Sequence, residues 1–264
     1  MIAFLAALLL LAVAIYTLRG GLVGPGRGVR VVRVVGFDTN ALGLGAVAVA
    51  AAVWFFGWQF GAALIITVVI HEFGHVVAFR ICGHADARFR LIPLLGGVAI
   101  SDKLPASHDE DLFVSLMAPA ICLAPMVLCF VLSDLLAEQA WGLANFLYIL
   151  GLVMGSLNFF NLLPFWPLDG GKITRALTFT YIPWATRAVS IAMSATAAAL
   201  CVLSGSFILL IFILMGWQGL MQSEQRIKVQ RPMSRRRGLW AAAAYLSTLL
   251  AFGVAGSPLV NSFL

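Results

Sequence analysis

The chain has 264 residues, of which 62% are hydrophobic and only 11% charged, with a formal net charge of +6. A soluble domain averages about 25% charged residues and about half apolar ones, so a water-soluble globule is excluded. The basic balance does not call for a nucleic-acid partner, because a cytoplasmic excess of Lys and Arg gives a membrane protein the same sign.

In chain order, apolar segments run over residues 2–18, 39–57, 61–79, 112–132, 141–163, 187–203, 207–221 and 239–256. Each is close to the length that crosses a bilayer core of roughly 30 Å. The loops are too short for a separate soluble domain. The expected fold is therefore an all-α polytopic membrane protein, one integral membrane domain over residues 1–264 with about eight transmembrane helices. The first segment lacks the basic stretch that precedes a cleaved signal, and Arg19, Arg27, Arg30 and Arg33 follow it instead. It reads as an uncleaved helix with its N-terminus outside.

With eight spans, all 17 Lys and Arg residues fall in or beside the loops 19–38, 80–111, 164–186 and 222–238, on one side. The opposite connections carry Asp134 and Glu138 and no basic residue. The basic side is expected to be cytoplasmic, with the bacterial plasma membrane as the expected location and membrane lipid as a surrounding partner. The loop "RIKVQRPMSRRRG" (226–238) within the basic stretch 222–238 reads as a topological anchor rather than a dedicated lipid site. Cys82, Cys122, Cys129 and Cys201 form no CxxC pair and read as small packing residues.

Between the third and fourth spans, "LIPLLGGVAI" (91–100) is apolar but too short to cross as a helix, and Pro93 with Gly96-Gly97 argues against one. Two short extended pieces turning at the glycines, in a short re-entrant β-like loop, are expected. Backbone of that kind is tolerated at membrane depth only against protein or a wet cavity.

The third segment is interrupted by polar residues: "LIITVVIHEFGHVVAFR" (64–80) carries two histidines and a glutamate. His71 and His75 are four apart, so both imidazoles project from one helix face. With Glu72 they form H-E-x-x-H, two metal ligands beside a carboxylate that takes a proton from a metal-bound water. Ionisable groups inside a span are costly and are presumed functional. A catalytic zinc site usually has a third protein ligand, with a further position open for water. The candidates are His84, His108 and the remaining acids. His84 and His108 lie in the loop beyond the helix and are expected to be solvated. Asp169 stands apart, in "NFFNLLPFWPLDGGK" (158–172), where Asn158, Asn161, Pro164 and Pro167 break an apolar helix at its cytoplasmic end. Freed backbone at that depth needs partners. His71 and His75 lie about 8–13 Å inward from the same side at 1.5 Å per residue.

Together, "HEFGH" (71–75) and "NLLPFWPLDGG" (161–171) resemble the site-2 protease family of intramembrane zinc metalloproteases, in a compact form without a PDZ or CBS module. The resemblance covers about residues 61–180, the expected catalytic core. It implies His71, His75 and Asp169 as ligands of one Zn2+ per chain and Glu72 as the general base. "LLGGVAI" looks like the family's membrane re-entrant β-loop, and "SLMAPA" (115–120) is similar to a helix start in which a glycine usually stands where this chain has Ala118. Lys172 takes a place where arginine is common.

The activity so implied is hydrolysis of a peptide bond in or near the transmembrane segment of a single-span membrane-protein substrate. Such a segment must unwind locally, and an unpaired strand edge at Gly96 and Gly97 would hold it by β-addition. Asn161 and Asn158 are candidates to hydrogen-bond its main chain, with a helix–helix hydrogen bond as the alternative for each. Two other functions compete: a metal or proton transporter, for which no inverted repeat is found, and a non-catalytic homologue that binds transmembrane segments, which would commonly have lost the glutamate or a ligand.

Overall fold

The computed structural model describes residues 5–12, 14–15, 42–92, 96–203, 205 and 227–261. Residues 5–12 are helical. The named elements are α1 (Leu42–Ile81), β1 (Arg88–Ile92), β2 (Gly96–Ile100), α2 (His108–Leu136), α3 (Trp141–Asn161), α4 (Asp169–Tyr181), α5 (Thr186–Leu203) and α6 (Arg235–Asn261). Among the described residues, five helices are long and apolar enough to cross a membrane. The protein is an integral membrane protein. The expected segment 207–221 lies outside the described residues.

The expected span 61–79 and the described part of 39–57 fall within α1, which reverses at Gly57. The Gly57 backbone has φ 78° and ψ 164°, a conformation essentially closed to residues with a Cβ. In a straight helix, residues 52 and 61 would be separated by about 13 Å along the axis. Here a Cβ on Gly61 would come within 2.7 Å of the Ala52 carbonyl carbon. The chain has therefore turned back on itself, and only a glycine at position 61 lets the two arms touch.

The chain forms two compact units. The first draws on Met1–Lys103, Met117–Phe159 and Leu250–Leu264. In it the antiparallel pair β1–β2 runs from Arg88 opposite Ile100 to Ile92 opposite Gly96. Phe89 and Leu91 are buried with Val68, Val76 and Ala87 in one apolar cluster, while Arg88 and Arg90 alternate with them. That period-two pattern extends the strand before residue 91, where the sequence reading began it. The glycines do not form the turn either: Gly96 opens β2, and residues 93–95 between the strands lie outside the described residues.

A polar cluster ties the base of this hairpin. Asp86 Oδ2 accepts hydrogen bonds from the Asp102 backbone N–H and from Ser101 Oγ. His84 Nδ1 donates to Ser101 Oγ at 2.9 Å, since the serine proton is committed to Asp86. Arg88 reaches both carboxylate oxygens of Asp102 at 3.2 Å. His84 is thus buried, contrary to the expectation that it is solvated.

Helix contacts in this unit rely on small residues, as expected where lipid leaves little hydrophobic drive for helix pairing. A Cβ on Gly74 would sit 2.6 Å from the Ala118 Cα, so Gly74 of the HEFGH stretch supplies the space on the opposite helix from Ala118. Gly155 and Gly256 bring α3 and α6 together in the same way, and Ser156 Oγ donates to the Gly256 carbonyl at 3.2 Å.

The second unit draws on Leu104–Leu116 and Phe160–Leu249. Residues 227–231 of the basic stretch clip onto residues 105–108: the His108 N–H donates to the Arg231 carbonyl at 3.0 Å, and the Arg231 N–H to Ala106 at 3.1 Å. Gln230 Nε2 donates to the Pro105 carbonyl at 3.1 Å. His108 is fully buried and its Nε2 donates to the Ile227 carbonyl at 2.9 Å, so it too departs from the solvated expectation. Within the loop expected over 164–186, the chain forms α4. Its buried Ile173 and Ala176 are three apart on one face, a short amphipathic signal that low overall hydropathy conceals.

Candidate active site

In the first unit, α1 carries His71, Glu72 and His75, all buried. Their helical spacing sets the two imidazole rings 5.1 Å apart, edge to face. Asn158 on α3, with no exposed surface, meets the first of them: His71 Nδ1 lies 2.8 Å from Asn158 Oδ1. The amide has a definite orientation, because its Nδ2 donates to the Met154 carbonyl one turn back at 2.8 Å. Oδ1 can therefore only accept, and His71 Nδ1 donates to it. In the neutral ring this leaves the lone pair on Nε2. Of the two readings of Asn158, the helix–helix hydrogen bond is the one its contacts make.

Glu72 lies under the hairpin. A Cβ on Gly97 would overlap Glu72 Cγ and lie 2.9 Å from Oε1, so only glycine lets β2 approach this side chain so closely. Gly96 beside it has open space. Among the described residues, Glu72 Oε2 is a buried oxygen with no hydrogen-bond partner. A buried polar atom left unpaired is costly, and here it sits one residue from His71. Two buried imidazoles and an acceptor that lacks a donor suit a metal ion with a water beside it.

In the second unit, the chain leaves α3 at the half-buried Asn161, turns through 162–168 with a cis bond between Trp166 and Pro167, and enters α4 at Asp169. The turn is held by the Leu168 N–H donating to Phe165 at 2.9 Å and by Tyr245 Oη donating to the Leu162 carbonyl at 2.7 Å. Side chains at Gly170 and Gly171 would overlap the carbonyl oxygens of Leu162 and Phe165, which explains the glycine pair after the aspartate. Asp169 is buried in the first turn of α4, where the helix dipole favours a carboxylate. Lys172 Nζ meets its Oδ1 at 2.9 Å. The Arg175 guanidinium stands 5.8 Å from the Trp166 ring centre.

The sequence alone did not reveal that Asn158 bonds to His71 or that Gly97 packs on Glu72. Both contacts join positions distant in the chain. The polar Asn158 inside an apolar run was the available signal for the first.

The sequence pattern of peptidase family M50 matches residues 134–203, a stretch that includes "NLLPFWPLDGG" and not "HEFGH". A zinc metalloprotease of Methanocaldococcus jannaschii is 29% identical over 172 residues, 63% of this chain and 50% of its own length. Over these stretches the chain is similar to M50 peptidases and zinc metalloproteases. Stage IV sporulation protein FB of Bacillus subtilis is 26% identical over 150 residues, 56% of this chain and 49% of that protein. The chain spans about half the length of the curated relatives it matches. Among solved structures, the site-2 protease from Methanocaldococcus jannaschii aligns at 26% identity with a TM-score of 0.48, over 69% of this chain and 87% of that one.

Proposed function

We propose that this protein is an intramembrane zinc metalloprotease that cuts a peptide bond in or near the transmembrane segment of a single-span membrane protein. The observation that carries the proposal is the buried Glu72 Oε2, unpartnered among the described residues, beside His71 and His75 inside an apolar helix. His71, His75 and Asp169 would hold one zinc. Each is buried in its own unit, and two imidazoles with a carboxylate are the donor set that zinc takes. A zinc ion there supplies Lewis acidity, polarising the scissile carbonyl and lowering the pKa of an attacking water toward about 7.

The chain's own residues do the rest. Glu72 Oε2 takes the water's proton and passes it to the leaving amide nitrogen, so that water adds to the carbonyl carbon as the C–N bond breaks. The substrate, unwound at the scissile bond, pairs along the edge of β2 that is unpaired among the described residues, where Gly97 brings the strand against Glu72. Asn161 hydrogen-bonds the substrate main chain, and Gly96 leaves that approach open. The catalytic core is residues 61–180. The basic loops face the cytoplasm of a bacterial plasma membrane, with the N-terminus outside and the active site toward the cytoplasmic side. The distribution of all 17 Lys and Arg residues on one side supports that orientation.

The test compares membranes from cells making the wild-type protein or Glu72→Gln by quantitative proteomics, followed by purified protein on a single-span substrate. Uncut substrate that accumulates only with Glu72→Gln, which still binds zinc, is the expected result. Equal cleavage of the purified substrate by both proteins would sink the assignment.

A further inference from the structure

We infer that Asn158 is a positioning residue for the metal site: it selects the imidazole nitrogen of His71 that can bind the ion. This rests on the metalloprotease reading above and adds a residue to it. The Asn158 side chain is fully buried in α3, where an amide is expensive unless both its ends are satisfied. Both are. Nδ2 donates to the Met154 carbonyl at 2.8 Å, which prevents the amide from flipping, and Oδ1 faces His71 Nδ1 at 2.8 Å.

A histidine offers a metal whichever ring nitrogen lacks a proton, and the partner of the other nitrogen decides which that is. An amide oxygen can only accept, so it holds the proton on Nδ1 and the lone pair on Nε2 of the same ring. It also fixes the ring plane, since rotation about the Cβ–Cγ bond would carry Nδ1 away from Oδ1. An apolar residue at 158 would remove this restraint on both the tautomer and the ring orientation. His71 and Asn158 are 87 positions apart, on different helices, so this pairing ties the HEFGH helix to the helix that leads into "NLLPFWPLDGG".

The experiment is a zinc competition titration of the full-length protein in detergent against a chromophoric chelator. It uses wild type, Asn158→Leu and Asn158→Asp, with thermal melting of each metal-free protein beside it. Loss of such a partner typically weakens metal binding by about 10- to 100-fold. Asn158→Leu is expected to show that loss. Its metal-free melting curve should fall only modestly, because leucine fills a similar volume but removes the acceptor of the buried His71 Nδ1. Asn158→Asp should bind zinc at least as tightly as wild type. One carboxyl oxygen still accepts from His71 Nδ1, and the other can carry a proton to the Met154 carbonyl. If Asn158→Leu does not fold, the aspartate variant still decides, since a tenfold weaker affinity in it overturns the inference. Wild-type affinity in a folded Asn158→Leu overturns it equally and leaves the metalloprotease reading standing. A wild-type protein that takes up no zinc overturns both.

Discussion

The buried carboxylate of Glu72 has one oxygen against a glycine strand and the other, among the described residues, without a partner. A glutamine at 72 keeps the shape and removes the proton acceptor. Glu72→Gln should therefore lower the cleavage rate by about 10²- to 10⁴-fold, the usual worth of a positioned acid–base group. Bound zinc, measured by elemental analysis, should stay at one per chain. Loss of zinc in this variant would mean that Glu72 acts as a ligand. Gly97 allows a sharper test of geometry. A methyl group there overlaps Glu72, so either the strand or the carboxylate must shift. Displacement by about 1 Å can cost about 100-fold in rate. Gly97→Ala should show a loss of that order in kcat with zinc still bound, and unchanged kcat would remove the strand from the catalytic arrangement.

Among the elements, α1 depends on the reversal at Gly57 and the hairpin on the cluster at Asp86. Gly57→Ala places a Cβ in a conformation worth about 1–3 kcal/mol of strain. Nothing lies within 4 Å of that Cβ, so the cost is purely conformational. Thermal melting in detergent should register a lower Tm, and an unchanged Tm would mean that the turn relaxes freely. Asp86 lies in the loop after α1, and its pKa is held below the usual carboxylate value, chiefly by the Asp102 backbone N–H, against a smaller opposing effect of burial. A depressed folded-state pKa contributes stability above the unfolded value of about 3.9, and that contribution disappears as pH falls through the folded value. Asp86→Asn should therefore melt below wild type between pH 5 and 8, with the gap closing below about pH 4. A gap that does not narrow at all as pH falls below about 4 would assign the effect to shape rather than charge.

For the whole molecule, the expected one-sided distribution of Lys and Arg predicts a topology that chemical labelling can check. In intact cells, a membrane-impermeant thiol reagent should modify Glu138→Cys and spare Arg236→Cys. The reverse pattern would invert the protein and place the active site toward the outside. The described residues 227–231 of the basic stretch are also packed on residues 105–108 rather than free in solvent. A buried His108 lies within that contact. Residues 227–231 are thus part of the packed structure.

The sequence by itself determined the solvent, the helical class and the placing of two imidazoles on one helix face. Composition rules out a water-soluble globule, apolar runs near 20 residues have few stable forms in lipid, and H-E-x-x-H at helical spacing places two imidazoles on one face. These are properties of local spacing, so they could be read from a single chain. The sequence did not reveal that α1 reverses at Gly57 with no loop, that β1 starts at Arg88, or that α4 begins at Asp169. Each of these depends on which backbone each segment packs against. Tertiary structure alone decided that His84 and His108 are buried, that Asn158 orients His71, and that Gly97 admits a strand beside Glu72. A hydrogen bond across 87 residues or a close approach of two backbones leaves no periodic trace in the chain; it exists only once the helices have packed.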